Sequence, residues 1–109
     1  MRLVRRTKRT RIPSRQQLLV LRVFLAQVEN SRYGYDIMKS TELGPGTLYG
    51  VLKRLFDEGY LHKTTELING RCRISYRLTE AGVHYAERSL IEDEYEQAVK
   101  NPTILEMES

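Results

Sequence analysis

A helix bounded by proline and glycine, predicted for residues 45–58, constrains this chain more than any other stretch. Pro45 suits the first position of a helix, where its missing N–H would have no partner anyway. Gly59 suits the left-handed position just past the end. Apolar residues recur between them at spacings of three and four, which defines one apolar face. They are Leu48, Val51, Leu52 and Leu55.

The opposite face of this predicted helix contains two glycines. The face and its flanks comprise Gly46, Thr47, Tyr49, Gly50, Lys53 and Arg54. An exposed glycine in a helix costs roughly 1 kcal/mol relative to alanine, so a helix needed only for stability would not contain two. One interpretation is a loosely specified helix start. We favour the other, a helix whose backbone a large partner molecule approaches closely.

Charge is unevenly distributed along the 109 residues. The net charge is +4, but residues 1–78 hold 16 Lys and Arg against 6 Asp and Glu, whereas residues 79–109 hold 2 against 8. A basic body followed by an acidic segment predicts a polyanionic partner for the body.

Several classes of protein are excluded by what the sequence lacks. The length suits one domain, and no apolar run approaches the roughly 18 residues of a membrane span. The basic N-terminus has no apolar segment typical of a secretory signal. A single cysteine, Cys72, excludes an internal disulfide framework and fits a reducing compartment. We therefore expect a cytoplasmic protein that does not bind a membrane.

Catalytic and metal-binding constellations are also missing from the sequence. His62 and His84 have no recognisable ligand spacing, and no paired carboxylates or nucleophile with a base are evident. The Gly44–Gly46 segment lacks the lysine and the spacing of a phosphate-binding loop. We expect neither an enzyme nor a bound cofactor or metal.

Residues 1–13 form a predicted basic arm that ends at Pro13. Its candidate DNA contacts are Arg5, Arg6, Lys8, Arg9 and Arg11. A solvated flexible leader is one interpretation of this composition. The other, compatible with it, is an arm that pairs with phosphates or enters a minor groove on binding.

Two helices are predicted between this arm and the glycine-bearing helix. Ser14 is a suitable N-cap for a helix over residues 15–29, whose apolar surface is wider than one face of a small domain needs. We predict that Leu18, Leu21 and Leu25 contribute to a dimer interface. A short helix over residues 33–40 and a tight turn then lead to Pro45, which gives a helix-turn-helix arrangement. Its second helix is the one placed in a DNA major groove.

A hairpin follows Gly59, where the apolar period changes from 3.6 to 2. Asn69-Gly70 is a strong hairpin signal. In the return strand, Cys72, Ile74, Tyr76 and Leu78 are predicted to face the helices, while Arg71, Arg73, Ser75 and Arg77 lie on the other side. The arginine face is either simply solvated or, as we favour, a wing that contacts phosphates through Asn69, Gly70, Arg71 and Arg73.

The last helix is predicted over residues 80–101, with Thr79 as its N-cap and residues 102–109 as a tail. Its apolar stripe includes Leu90, Ile91, Tyr95 and Ala98. The stripe either folds back on the first helix or, as we favour, forms a two-fold dimer seam. The predicted fold is mainly α with a small β-hairpin: a winged helix-turn-helix over residues 14–79 with N- and C-terminal dimerisation helices.

Four motifs together resemble PadR-type transcriptional regulators. They are Tyr33–Ile37, Leu43–Tyr49, Leu52–Leu55 with Glu58–Leu61, and Tyr76–Gly82. The resemblance implies a dimeric winged helix-turn-helix repressor that binds a palindromic operator in double-stranded DNA. It further implies DNA contacts from Thr47 and Tyr49, and phosphate contacts from Arg71 and Arg73. Gly44 departs from the pattern, because a serine or similar N-cap is usual there.

Two functions fit these features of the sequence. The first is sequence-specific DNA binding with transcriptional control, and the alternative is a winged-helix module that binds another protein without specific DNA contacts. The glycine-bearing helix beside an arginine-rich wing suits a DNA groove better than a flat protein surface. A small-molecule effector is compatible with the family resemblance, but the single C-terminal helix gives it no support.

Overall fold

The computed structural model describes residues 14–100, which form four helices and three strands. In chain order they are α1 (Arg15–Ala26), β1 (Arg32–Tyr33), α2 (Gly34–Thr41), α3 (Pro45–Asp57), β2 (Leu61–Ile68), β3 (Arg71–Leu78) and α4 (Glu80–Lys100). The predicted basic arm and the C-terminal tail lie outside the described residues. The predicted winged-helix fold is confirmed, with a three-stranded sheet in place of a simple hairpin.

Helix starts lie where the capping signals predicted them. Ser14 Oγ accepts a hydrogen bond from the Gln17 N–H at 3.2 Å, and Thr79 Oγ1 accepts one from the Gly82 N–H at 2.9 Å. The first residue of α3 is Pro45, preceded by Gly44 without a side-chain cap. Helix α1 is shorter than predicted and ends at Ala26. A turn replaces its last predicted residues, closed by Asn30 through a 2.7 Å hydrogen bond to the Gln27 side chain.

The sheet is antiparallel, with β3 between β1 and β2. Asn69 and Gly70 both have positive φ, 52° and 76°, as the type I′ turn of a two-residue hairpin requires. This confirms the predicted hairpin. Strand β1 was not predicted, and Tyr33 lies in it rather than in the second helix. Two residues are too few to show the alternation by which strands are recognised in a sequence.

The core forms around α1, which packs against α2, α3, α4 and β3. Among the described residues its fully buried large apolar side chains are Val20, Leu21, Phe24, Ile37, Leu48, Leu52 and Leu55. This burial corrects the prediction that Leu18 and Leu21 form part of a dimer interface. Both side chains are buried within the protomer and present no surface to a second chain. The prediction was wrong because α1 packs against α2, α3, α4 and β3 of the same protomer, which bury these two side chains.

The face assignment of β3 was wrong at its tip end. Cys72 and Ile74 were predicted to point into the core, yet both are exposed. Only Tyr76 and Leu78, on the same face, are buried. The hairpin extends beyond the helices, so its distal half has solvent on both faces. On the arginine face, Ser75 is 1% exposed, because β1 pairs alongside it.

A junction of Gly59, Tyr60, Thr79 and Gly82 fixes the end of α3 to the start of α4; we call it the α3–α4 junction. Thr79 Oγ1 donates a hydrogen bond to the Gly59 carbonyl at 2.8 Å, and the Thr79 N–H donates one to the Tyr60 carbonyl at 3.0 Å. A Cβ on Gly82 would overlap the Tyr60 carbonyl oxygen, so the two backbones are in direct contact. The positive φ of Gly59, 85°, turns the chain out of α3.

Tyr85 connects this junction to α1. Its ring stacks on Tyr60 with centroids 4.2 Å apart, and its hydroxyl donates to Gln17 Oε1 at 2.7 Å. Burial raises the pKa of Tyr85 above its ordinary value. The first helix, the last helix and the end of α3 are therefore held by one set of contacts. None of the helices within residues 14–100 is long and apolar enough to cross a membrane.

Candidate nucleic-acid interface

The outer face of α3 is open to solvent along its length. All six residues predicted to contact DNA from this helix are exposed: Gly46, Thr47, Tyr49, Gly50, Lys53 and Arg54. A Cβ placed on Gly46 or Gly50 would have no neighbouring atom within 4 Å. These glycines therefore do not serve packing inside the protomer. They leave the helix backbone bare on the side turned away from the core.

Lys53 is paired along this face. Its Nζ lies 2.9 Å from Asp57 Oδ2, four residues further along α3. Both side chains are largely exposed, and an ion pair of this kind contributes little to stability. The lysine can exchange this partner for a phosphate or a base edge at small cost.

An open cleft of about 380 Å³ separates the start of α1 from α3. It is lined by Ser14, Gln16, Gln17, Gly46, Thr47, Gly50, Val51 and Arg54. Arg54 therefore lies on the α1 side of the exposed face. Ser14, the first described residue, thus lies at the same cleft as the bare glycines of α3.

A second groove, of about 290 Å³, lies on the other side of α3, between α2 and β3. Its lining is rich in tyrosine: Tyr33, Gly34, Tyr35, Tyr49, Cys72, Arg73, Ile74 and Tyr76. We call it the tyrosine groove. Burial raises the pKa of Tyr76, and the neighbouring Tyr49 adds to that shift. No local sequence signal indicated this groove, since its residues come from four separate elements.

The wing residues Asn69, Gly70 and Arg71 lie exposed at the tip of the hairpin, whereas Arg73 is held in place. The Arg73 guanidinium stacks 4.0 Å above the Tyr33 ring. Tyr33 in turn donates a 2.6 Å hydrogen bond to Glu66 Oε1, which raises the pKa of Tyr33. Sequence reasoning missed Tyr33 and Glu66 here. The hairpin register could have found Glu66, because Asn69-Gly70 places it opposite Arg73.

A further cation, Lys63, was also not predicted at this surface. Its Nζ lies 4.5 Å from the centre of the Phe56 ring, a cation–π contact between β2 and the exposed side of α3. The pair connects the base of the wing to the helix. It therefore helps to fix the angle between the two elements that carry the predicted DNA contacts.

The predicted dimer residues of α4 differ in exposure. Leu90 and Ala98 are partly buried, whereas Ile91 and Tyr95 are 64% and 71% exposed. Val99 continues the exposed series at a spacing of four. We call Ile91, Tyr95 and Val99 the α4 stripe. Leu25 of α1, also predicted for the dimer interface, is partly buried and packs against the core.

Residues 14–100 contain no group of three or more His, Cys, Asp and Glu side chains that could hold a metal ion. The exposed surface of α3 and the hairpin is instead basic and aromatic. A three-helix core, an exposed third helix and a long antiparallel hairpin beside it define the winged helix-turn-helix class of proteins.

Comparison with known proteins agrees with this class and narrows it. The model of the family described as "Transcriptional regulator PadR-like family" matches residues 21–88. The chain belongs to this family.

Individual relatives show the same relationship. The transcriptional regulator Rv3488 of Mycobacterium tuberculosis H37Rv is 43% identical over 54 residues, covering 50% of this chain and 45% of that protein. The chain thus spans less than half the length of this curated relative. The structure of smu.1704 from Streptococcus mutans UA159 is similar at a TM-score of 0.67 and 30% identity, over 81% of this chain and 88% of that one.

A more distant structure shares the fold alone. It is a mutant of MepR from S. aureus, bound to an oligodeoxyribonucleotide. The similarity has a TM-score of 0.65 at 21% identity, over 87% of this chain and 71% of that one.

Proposed function

We propose that this protein is a sequence-specific DNA-binding transcriptional regulator that acts as a homodimeric repressor on a palindromic operator. The observation that carries the proposal is the bare, exposed glycine face of α3 beside an arginine-bearing hairpin. Its membership of a family of transcriptional regulators supports the same function. So does the DNA bound to MepR, which shares the fold.

Helix α3 enters the major groove in this proposal. The absence of side chains at Gly46 and Gly50 lets the DNA approach the backbone, and Thr47, Tyr49 and Lys53 reach the base edges. Glycine offers no side-chain contact to a base, so direct contacts are few. DNA shape, and an arm that enters a minor groove, supply the remaining specificity.

The arm and the wing supply affinity through phosphates. Arg71 at the hairpin tip and Arg73 on Tyr33 flank the groove that α3 occupies. Ser14 lines the same cleft as Gly46 and Gly50. In this proposal the arginines and the lysine of the arm therefore reach the same segment of DNA. Phosphate contacts of this kind position the protein and carry no sequence information directly.

The homodimer is formed in this proposal through the α4 stripe. Ile91, Tyr95 and Val99 are large apolar side chains left exposed on a helix whose charged residues are mostly acidic. Covering them with a second copy related by two-fold symmetry removes them from water. The same symmetry accounts for a palindromic operator. We propose a cytoplasmic, non-enzymatic protein, and repression follows from the family resemblance.

Selection of bound sequences from random double-stranded DNA tests this proposal with the full chain. We expect enrichment of an inverted repeat whose half-sites lie about 10–10.5 bp apart, or a multiple of that distance. Enrichment of a single half-site would contradict the homodimer. Binding without enrichment of any sequence would contradict specific recognition and favour the protein-interaction alternative.

A further inference from the structure

The hydroxyl end of Tyr49 rests on the backbone of Gly34, at the start of α2. A Cβ built on Gly34 would overlap the Tyr49 hydroxyl oxygen and would lie 2.8 Å from Cζ and 3.0 Å from Cε1. Gly34 itself is buried. The two residues therefore occupy one another's space, and the contact joins the first and second helices of the helix-turn-helix.

Within residues 14–100, the three atoms nearest to a Cβ at position 34 all belong to the Tyr49 side chain, so an alanine there would displace that ring. Positive φ values among the described glycines occur at Gly59 and Gly70, so the backbone at Gly34 is one that alanine can adopt. Glycine is also less favourable than alanine in a helix. Gly34 is thus explained by the Tyr49 side chain that lies against it.

The contact determines which part of Tyr49 faces solvent. Its hydroxyl end lies against Gly34, the residue lines the tyrosine groove together with Tyr76, and 45% of the residue stays exposed. Because the hydroxyl end lies against Gly34, the aromatic ring contributes to the exposed part. In a major groove such a surface matches the one apolar group on a base edge, the C5 methyl of thymine.

We propose that Gly34 is a specificity-determining position that acts through Tyr49. By holding the hydroxyl inward, Gly34 presents the Tyr49 ring to a thymine methyl group in each operator half-site. The inference rests on the proposed function, in which α3 lies in the major groove. Gly34 is a positioning residue, and Tyr49 makes the contact.

Deoxyuridine tests the contact because it differs from thymidine only in lacking the C5 methyl. Each thymine of the selected operator is replaced in turn, and binding is measured by fluorescence anisotropy with the full chain. At one thymine of each half-site the wild type should bind roughly fourfold more weakly after replacement, as expected when one buried methyl group is removed. Tyr49→Ala should bind the operator more weakly and should not respond to the replacement.

Gly34→Ala tests the positioning role. Its added methyl group displaces the ring, so the variant should lose discrimination between thymine and uracil. The double variant with Tyr49→Ala should bind no more weakly than Tyr49→Ala alone. Additive decreases in affinity would overturn the role of Gly34. Ser40→Ala, on the exposed side of α2, is the matched control and should keep both affinity and methyl discrimination.

A structural measurement separates positioning from general destabilisation. Nuclear Overhauser contacts between the Gly34 Hα protons and the Tyr49 ring should be strong in the free wild type. If these contacts were absent from the free wild type, the proposal would be overturned without a DNA-binding measurement. If Gly34→Ala does not fold, the Overhauser contacts in the wild type test the position of the ring, and the uracil series on wild type and Tyr49→Ala tests the methyl contact. Discrimination retained by Tyr49→Ala would overturn the proposal.

The two proposals fail in different ways. If the wild type enriches no DNA sequence, the proposed function fails. If it enriches an operator whose thymines can all be replaced without weaker binding, the methyl contact fails, and sequence-specific binding stands.

Discussion

The Lys53 ammonium group lies 2.9 Å from the Asp57 carboxylate on the exposed face of α3, so its contributions to the fold and to binding can be separated. Replacing Lys53 by alanine should change the unfolding free energy by less than about 0.5 kcal/mol, because exposed pairs of this type stabilise little. Operator affinity should fall by about 1–3 kcal/mol.

Binding of Lys53→Ala should be compared on the operator and on unrelated DNA of equal length. An equal decrease on both would make Lys53 a phosphate contact rather than a base contact. Asp57→Ala is the matched control, since it releases the same lysine and removes a negative charge from the face. It should bind at least as tightly as the wild type.

The contact between Tyr33 and Glu66 makes the stability of the protein depend on pH in the alkaline range. The hydrogen bond to Glu66, followed by burial, raises the pKa of Tyr33 above 10.0. A raised pKa in the folded state means that the phenol stabilises the fold below pH 10 and that this contribution disappears as the pH rises above it. The unfolding free energy should therefore decline as the pH rises above about 10.

Urea denaturation at a series of pH values from 8 to 11 measures this decline. In Glu66→Gln the decline should be smaller, because the negative charge beside the phenol is gone. Part of the decline should remain in this variant, because burial also raises the pKa values of Tyr76 and Tyr85. Glu92→Gln, an identical change at an exposed position of α4, should leave the wild-type decline. The same decline in both variants would contradict the role of Glu66.

Structural roles that depend only on neighbouring residues in the chain could be predicted from the sequence. Ser14 and Thr79 were recognisable as N-caps because a cap acts within three residues of its own position. Leu21 and Cys72 could not be assigned correctly, because their burial depends on what the rest of the chain covers. The Gly34–Tyr49 contact spans two helices, so no local signal indicated it.

Helix α3 has well-defined ends, but the glycines on its exposed face lower its stability. Gly50 lies in the helix interior with open space where a Cβ would be. Gly50→Ala should therefore raise the unfolding free energy by roughly 0.5–1 kcal/mol. The same methyl group should lower operator affinity about tenfold or more, about 1.4 kcal/mol, because it occupies the space that the DNA needs.

Thermal denaturation and operator titration of Gly50→Ala measure the two effects separately. A more stable variant with unchanged affinity would show that DNA does not approach α3 at this position. Gly82→Ala is the contrasting control. Its Cβ would overlap the Tyr60 backbone, so it should destabilise the fold by roughly 2 kcal/mol or more.

The sheet contains both strands that could be predicted from the sequence and one that could not. The β2–β3 hairpin followed from alternation and from Asn69-Gly70, and its turn was predicted correctly. That neither face of its distal half is buried could not follow, since alternation indicates two faces without saying where the helices that cover one of them end. Strand β1 escaped notice because it exists only through its pairing with Tyr76 and Ser75.

At the scale of the whole molecule, the α4 stripe is the apolar surface on which the proposed dimer depends. Tyr95→Asp should dissociate this dimer, weakening the association of its two copies by about 2 kcal/mol or more, because it places a charge in an apolar contact. The protomer should stay folded, because Tyr95 is 71% exposed.

Sedimentation velocity measures this outcome, and Leu67→Asp is the matched control. Leu67 is also 71% exposed but lies on the wing, so this variant should remain dimeric. A Tyr95→Asp protein that still sediments as a dimer would remove the α4 stripe from the interface.

The basic arm should contribute to binding through counterion release. Removing residues 1–11 deletes Arg2, Arg5, Arg6, Lys8, Arg9 and Arg11. The slope of log affinity against log salt should become shallower by about 0.9 for each phosphate that the arm would have neutralised. Titration at several salt concentrations measures the slope, and an unchanged slope would show that the arm makes no phosphate contacts.

Because of the α3–α4 junction, a change in the direction of α4 is transmitted to α3, the helix that enters the major groove in the proposed function. Thr79 and Gly82 fix one end of α4 to the end of α3, while the apolar stripe lies toward the other end. Helix α4 has 21 residues, a length of about 31 Å. A tilt of about 10° over that length displaces its end by about 5 Å, more than the roughly 3.4 Å between successive base pairs. In a dimer joined through α4, the packing angle at the stripe therefore sets the distance between the two α3 helices. That distance has to match the spacing of the two major grooves that they enter. Substitutions far from DNA would then change which half-site spacing the protein accepts.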